Sequence, residues 1–296
     1  MIGLGELSLW MALLMAVWGA ALSAAGGVLS RDDLIASAER GLVAATGFSA
    51  ISVAGLSWAL VSRDFALQYV AMHTSERVPV AYRISAMWAD RAGSLLLWTL
   101  VLGLCSAVAL RATRGDRVAR IARGTSAVAR TPGSRIATLL GGALAISLAL
   151  SAVALNPFAG LNPIPANGRG LDPQLQDWTR ILDMPLLMLG CGAALVSLAL
   201  CLAVSWDGGF TAAQTRAARA WPVVAFCALA AGIGFRLAWA YTHRGAVPIA
   251  AFSQVPSGTV LAALLALLMA GIALGAGPRR PIGVYLATAG VVTLVA

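Results

Sequence analysis

The stretch VAYRISAMWADRAGSLLLW, residues 80–98, decides the fold class of this chain. Its first half is polar and carries Arg83, Asp90 and Arg91, and its second half continues into an apolar segment that begins at Gly93. Charges at the centre of a bilayer are costly, so a charged stretch leading into such a segment is expected at a water interface or at a functional site. The stretch therefore predicts the entry of a helix into a membrane.

The composition gives the same answer for the whole chain. Of its 296 residues, 59% are hydrophobic and only 11% are charged, whereas soluble domains carry about 25% charged residues. The chain cannot cover a water-facing surface, so the lipid bilayer is its expected environment. The sequence pI of about 10.6 does not indicate a nucleic-acid partner, because basic loops are the normal topology signal of membrane proteins.

Eight apolar runs are long enough, at about 20 residues each, to cross a hydrocarbon core about 30 Å thick. They lie near residues 7–29, 42–61, 93–110, 136–155, 184–205, 221–241, 258–277 and 281–296. We therefore expect an all-α polytopic membrane protein of about eight transmembrane helices, forming one integral membrane domain over residues 1–296. Glu6 is the only charge before Arg31, so the first run lacks the basic start of a signal peptide and is expected to be retained.

The loops between these runs alternate in charge. Thirteen arginines lie in the loops after the first, third, fifth and seventh runs, and the positive-inside rule places these loops in the cytoplasm. Loop 111–135, with seven arginines, either binds lipid headgroups or only determines topology, and we favour the second interpretation. The N terminus is then outside, and loops 62–92, 156–183 and 242–257 face the periplasm or its equivalent. Three X–Pro pairs predict that loop 156–183 is ordered.

The sequence shows no catalytic apparatus. None of the four cysteines forms a C-x-x-C pair, so neither a thiol redox motif nor a zinc site is predicted. There is no nucleophile–base pair, phosphate-binding loop or metal-ligand cluster, and no catalytic residue or metal is predicted.

Four short stretches, in order along the chain, form a pattern that few unrelated proteins share. They are RDFALQYVA at 63–71, PVAYRISAMWADRAGSLLLW at 79–98, NPF at 156–158 with GLDPQLQD at 170–177, and RAARAW at 216–221 with GI at 232–233 and WAY at 239–241. The most distinctive residues are Tyr82, Arg83, Trp88, Gly93, Ser94, Trp98, Asp172 and Pro173. In this pattern, clearest over residues 60–245, the chain resembles the N-terminal half of the cytochrome c haem lyase family, the CcmF/CcsA/NrfE group.

This resemblance implies a membrane component of cytochrome c maturation that helps to present haem or apocytochrome c at the periplasmic face. It also implies partners among the other membrane subunits of that system. In the family, histidines and a tryptophan-rich segment hold haem. Here Asp183 stands where the family has a ligand histidine, and the residues after Tyr241 include no tryptophan. The chain is therefore expected to be a divergent member that depends on partner subunits. The alternatives are a non-catalytic structural subunit of a respiratory or photosynthetic membrane complex, and an unrelated transporter.

The resemblance places Asp183, Arg236, Trp239 and His243 in the vicinity of haem. A haem iron of this kind takes imidazole ligands, and the chain has only two histidines. His243 lies beside the missing tryptophan-rich segment and is the better candidate, whereas His73 is interpreted as an exposed loop residue. Arg236 lies within a predicted span, where a charge marks a functional candidate. It either extends towards the membrane surface, pairs with Asp183 or contacts an anionic group such as a haem propionate.

The remaining family residues are interpreted as scaffold. Trp88 and Trp98 suit an aromatic belt at the membrane interface. Arg83 and Arg91 are expected to form a cluster of ion pairs with Asp90.

Overall fold

The computed structural model describes residues 2–122, 132–207 and 212–244. These residues form eight α-helices. The helices are α1 (Ile2–Leu29), α2 (Asp32–Ser62), α3 (Gln68–His73), α4 (Val80–Ser85), α5 (Arg91–Ala122), α6 (Pro132–Ala149), α7 (Trp178–Asp207) and α8 (Ala212–Arg244). Short 3-10 turns form at Ala86–Trp88 and Pro173–Leu175, and a π-helical turn at Leu150–Ala154 extends α6.

The predicted all-α fold is confirmed. The described part of the chain contains six helices long and apolar enough to cross a membrane, and they coincide with the first six predicted runs. They are Gly3–Leu29, Asp32–Ser62, Arg91–Arg111, Gly133–Ala154, Trp178–Ala203 and Arg216–Thr242. The runs predicted near 258–277 and 281–296 lie outside the described residues. The chain is thus a multi-pass membrane protein.

Close packing of small residues holds the long helices together. Helix α1 packs against α2 and α6, and α7 packs against α8. A Cβ atom added at Gly55 would lie 3.2 Å from the Cα of Gly5, and one added at Gly19 would lie 2.8 Å from Leu42. In a bilayer, where lipid tails are as apolar as side chains, such close approach is a main source of attraction between helices.

An ion pair joins α2 to α5 at the arginine-rich end of the bundle. Helix α5 continues past the predicted span to Ala122, and Arg114 Nε donates to Glu39 Oε2 over 2.8 Å. The side chain of Glu39 is only 1% exposed, and a buried carboxylate is costly unless it is paired. Arg114 therefore has a structural role that topology alone did not predict.

The opposite end, which we call the loop end, carries loops 62–92 and 156–177. Backbone hydrogen bonds hold the second loop beside the first, as from Gln68 N to Ala159 O over 2.9 Å and from Arg169 N to Ala71 O over 2.8 Å. The approach is close at Gly168, where an added Cβ atom would lie 2.0 Å from the carbonyl oxygen of Thr74. The loop predicted over 156–183 ends at residue 177, because its last six residues form the start of α7, and hydrogen bonds hold the remainder against the first loop.

Candidate functional site

A buried carboxylate lies at the centre of the first polar region of the loop end. Asp183, in the second turn of α7, is 1% exposed. Its Oδ2 accepts hydrogen bonds from Arg180 Nη1 over 2.8 Å and from Arg236 Nε over 3.0 Å. Because Arg180 lies on α7 and Arg236 on α8, the carboxylate joins the two helices.

Met184 and Trp239 complete this site. We call the five residues Arg180, Asp183, Met184, Arg236 and Trp239 the Asp183 cluster. The guanidinium of Arg180 lies over the indole of Trp239, 5.0 Å from the ring centroid, at a distance typical of a cation–π contact. Arg236 Nη2 lies 3.8 Å from the sulfur of Met184. Both arginines are thus held by an aromatic or sulfur contact as well as by the carboxylate.

The cluster is not a set of ligands for haem iron. It contains no imidazole, the ligand expected for this type of haem iron, and its carboxylate is already hydrogen-bonded to two guanidinium groups. The sulfur of Met184 faces a cation. Two arginines against one carboxylate nevertheless leave a surplus of one positive charge, so the cluster is suited to attract an anion rather than to bind a metal.

Three of the four residues predicted near haem are brought together in this cluster. They are Asp183, Arg236 and Trp239, and the pairing of Arg236 with Asp183 is one of the three alternatives that the sequence left open. His243 lies in the last turn of α8, and its side chain is outside the described part of the structure. Arg180 was missed, although its i, i+3 spacing from Asp183 is a signal for a helical ion pair.

One interpretation of the family residues is wrong. Among the described residues, neither Arg83 nor Arg91 pairs with Asp90; Arg83 donates instead to the carbonyl oxygens of Val78 and Val61 over 2.7 and 3.1 Å. This satisfies a carbonyl at the end of α2, where no helical partner is left.

Trp88 and Trp98 each donate a hydrogen bond within the protein. The indole of Trp88 donates to Arg180 O over 3.1 Å, and that of Trp98 donates to Ser147 Oγ over 3.2 Å. Both rings are partly buried and pack against the main hydrophobic core. They connect separate parts of the chain, and their position in an interfacial belt stays a prediction.

The glycine of the GSLLLW motif is required by a close contact. A Cβ atom at Gly93 would lie 2.0 Å from Met87 O and 2.4 Å from the hydroxyl of Tyr69. That hydroxyl donates to the carbonyl oxygens of Ala86 and Met87, 3.0 and 2.8 Å away. Burial raises the pKa of Tyr69 above its ordinary value, so the hydroxyl remains a donor.

The other family residues have local roles. Ser94 Oγ donates to Trp88 O over 3.3 Å and helps to hold the turn before α5. The side chain of Tyr82 packs against the main core. Asp172 and Pro173 are exposed, and Asp172 O accepts the backbone N–H of Leu175 over 2.9 Å in the 3-10 turn.

The second polar region of the loop end is a cavity of about 350 Å³. His73, Asp90 and Arg169 line it, together with the amides of Gln68 and Asn156. We call it the His73 cavity. The interpretation of His73 as an exposed loop residue is wrong, because its ring is partly buried, lies 4.5 Å from the ring of Tyr69 and is hydrogen-bonded to Tyr69 O over 2.9 Å.

Comparison with known proteins identifies the relatives of this fold. No family model matches the chain. It is 34% identical over 254 residues to the cytochrome c-type biogenesis protein CcmF of Escherichia coli, covering 82% of this chain and 35% of the relative. It is 30% identical over 244 residues to CcmF of Pseudomonas aeruginosa, with the same shares covered. The solved structure of a cytochrome c haem lyase CcmF aligns with 99% of this chain and 46% of its own at a TM-score of 0.76 and 20% identity.

The apolar helices make this chain a polytopic membrane protein, and its fold and sequence are similar to those of CcmF-type cytochrome c-type biogenesis proteins. Within that class, the chain is a divergent relative of the CcmF-type proteins and corresponds to their N-terminal half. It spans about a third of the length of the curated relatives that it matches. The resemblance stated from the four sequence stretches is thereby confirmed.

Proposed function

We propose that this chain is a bacterial inner-membrane subunit of cytochrome c maturation, built as one integral membrane domain. It helps to present haem or apocytochrome c at the periplasmic face. The observation that carries the proposal is a CcmF-like fold whose expected ligand position is occupied by the ion-paired Asp183. Because the Asp183 cluster offers no imidazole, the ligands to haem iron come from partner subunits or from elsewhere in the chain.

The cluster contributes charge and position to this function. Its surplus positive charge favours an anionic group at the loop end, such as the propionates of a haem whose iron is held elsewhere. The indole of Trp88 extends this rigid unit to the turn before α5, since it donates to Arg180 O. In this arrangement Arg180 and Arg236 orient an anionic ligand, and neither takes part in forming a covalent bond.

The test combines a deletion strain with purification from native membranes. We expect the deletion strain to lose c-type cytochromes, measured by haem staining of membrane proteins, and the tagged protein to co-purify with other maturation subunits. The variant His243→Ala tests the predicted ligand whose side chain lies outside the described part of the structure. If the purified wild-type protein shows a Soret band and the variant does not, His243 is a ligand of the haem iron. Normal c-type cytochromes in the deletion strain, with no maturation subunit in the purified material, would reject the proposal.

The ionic character of the cluster supports a second candidate function. Asp183 occupies the position expected for a ligand and instead forms ion pairs that join α7 to α8. Such a structural role also suits a structural subunit of a respiratory or photosynthetic complex. In that case the same purification yields a respiratory or photosynthetic assembly, and the deletion lowers the amount of that assembly while c-type cytochromes remain.

A further inference from the structure

The His73 cavity differs from the Asp183 cluster because its charged groups are not paired with each other. Among the described residues, neither the Asp90 carboxylate nor the Arg169 guanidinium forms an ion pair or a side-chain hydrogen bond. A carboxylate and a guanidinium, both exposed, therefore line one cavity without a protein partner for either charge among the described residues. A ligand that carries one positive and one negative group would satisfy both.

The imidazole of His73 adds an acceptor to this cavity. Its Nδ1 lies 2.9 Å from Tyr69 O, and a carbonyl oxygen only accepts hydrogen bonds. Nδ1 therefore carries the proton, and in the neutral ring Nε2 is left as an acceptor. Asp90 and His73 together offer acceptors that match a primary ammonium, which has three N–H donors.

The cavity lies at the level where the membrane spans end. Ala92, which lines it, is the second residue of the span Arg91–Arg111, and Asn156 follows the span Gly133–Ala154 by two residues. The loop helices beside it expose apolar side chains: Met72 at 37%, Val80 at 53% and Ile84 at 45%. Exposed apolar side chains beside the end of a span suit contact with a bilayer surface, and this favours a phospholipid headgroup as the ligand.

We propose that the His73 cavity binds the phosphoethanolamine headgroup of a phospholipid in the adjoining leaflet. Arg169 pairs with the phosphate, and Asp90 and His73 Nε2 accept the N–H groups of the ammonium. The cavity volume of about 350 Å³ lies within the range of small-ligand pockets, roughly 300–1,000 Å³. A choline headgroup has no N–H donor and leaves both acceptors unmatched, and a glycerol headgroup has no positive charge for Asp90.

The experiment is native mass spectrometry of the full chain with added phosphatidylethanolamine, phosphatidylcholine or phosphatidylglycerol. We expect wild-type protein to bind phosphatidylethanolamine about tenfold more tightly than either other lipid. Asp90→Asn removes this preference, and Arg169→Gln weakens all three lipids about tenfold. Glu76→Gln and Arg77→Gln are matched controls, because both residues are exposed in the same loop and do not line the cavity; they retain wild-type binding.

Three outcomes would overturn the proposal. The first is equal binding of the three lipids by wild-type protein, and the second is a preference for phosphatidylethanolamine that survives Asp90→Asn. The third comes from competition: displacement of bound lipid by equimolar free phosphoethanolamine would identify a soluble ester as the ligand, and displacement by a Cys-x-x-Cys-His peptide would identify a polypeptide. Variants enter the comparison only if their gel-filtration profile and thermal unfolding match wild type.

Discussion

The two polar regions of the loop end use charge in opposite ways. In the Asp183 cluster a buried carboxylate is hydrogen-bonded to two arginines, whereas in the His73 cavity an acid and a base remain unpaired among the described residues. A charge removed from water must be paired, while one that faces an open cavity is stabilised by solvent or by a ligand. The contrast indicates a structural role for the ion-paired Asp183 cluster, and it is the basis for proposing the His73 cavity as the ligand-binding region.

The largest effect is expected at the centre of the ion-paired region. Asp183→Ala leaves two arginines against each other without their anion, and loss of one partner of a buried ion pair typically costs about 3–5 kcal/mol. We expect a corresponding fall in the free energy of unfolding, measured by reversible denaturation in mixed micelles. Glu76→Ala, at an exposed position, is the control. A loss similar to that of the control would mean that the cluster is not a structural element.

A somewhat smaller effect is expected at the turn that borders both regions. Gly93→Ala places a methyl group against Met87 O and the Tyr69 hydroxyl, and this overpacking should cost about 3 kcal/mol. Gly142→Ala is the control, because nothing lies within 4 Å of its added Cβ atom. Thermal unfolding in detergent compares the two. An equal melting temperature for both variants would show that the close contact at Gly93 relaxes easily.

The third prediction compares the loss of one arginine of the cluster with the loss of its carboxylate. Arg236→Met removes one cation but leaves the neutral pair of Arg180 with Asp183. The loss of a hydrogen bond to a charged group should then cost about 2 kcal/mol, clearly less than Asp183→Ala. Arg216→Met is a control in the same helix at an exposed position. A loss as large as that of Asp183→Ala would mean that Arg180 alone cannot neutralise the carboxylate.

The membrane spans could be predicted from the sequence because they depend on local composition. Each run is apolar over about the thickness of the bilayer core, and all six within the described residues were found. The pairing of Asp183 with Arg236 was left as one of three alternatives, since a charge within a span requires a partner but does not identify it. The pairing of Arg180 with Asp183 could have been predicted from their i, i+3 spacing on one helix.

The remaining features depend on contacts between distant segments. The bond from Trp88 to Arg180 joins residues 92 positions apart, and the pair of Arg114 with Glu39 joins residues 75 apart. The belt predicted for Trp88 and Trp98 followed residue preference, which does not identify the hydrogen-bond partners of the two indoles. His73 was assigned to an exposed loop because the sequence does not show that it lies on a short helix with its ring against Tyr69.

The smallest effect is expected at the carboxylate of the unpaired region. Asp90 is exposed and, among the described residues, its side chain has no ion pair. Asp90→Ala should therefore change the free energy of unfolding by less than about 0.5 kcal/mol, as is usual for surface positions without such contacts. The same denaturation series that includes Asp183→Ala provides the measurement, with Glu76→Ala again as the reference. A loss of several kcal/mol would show that Asp90 is a structural residue like Asp183, and the distinction between a paired region and a ligand-binding region would no longer hold.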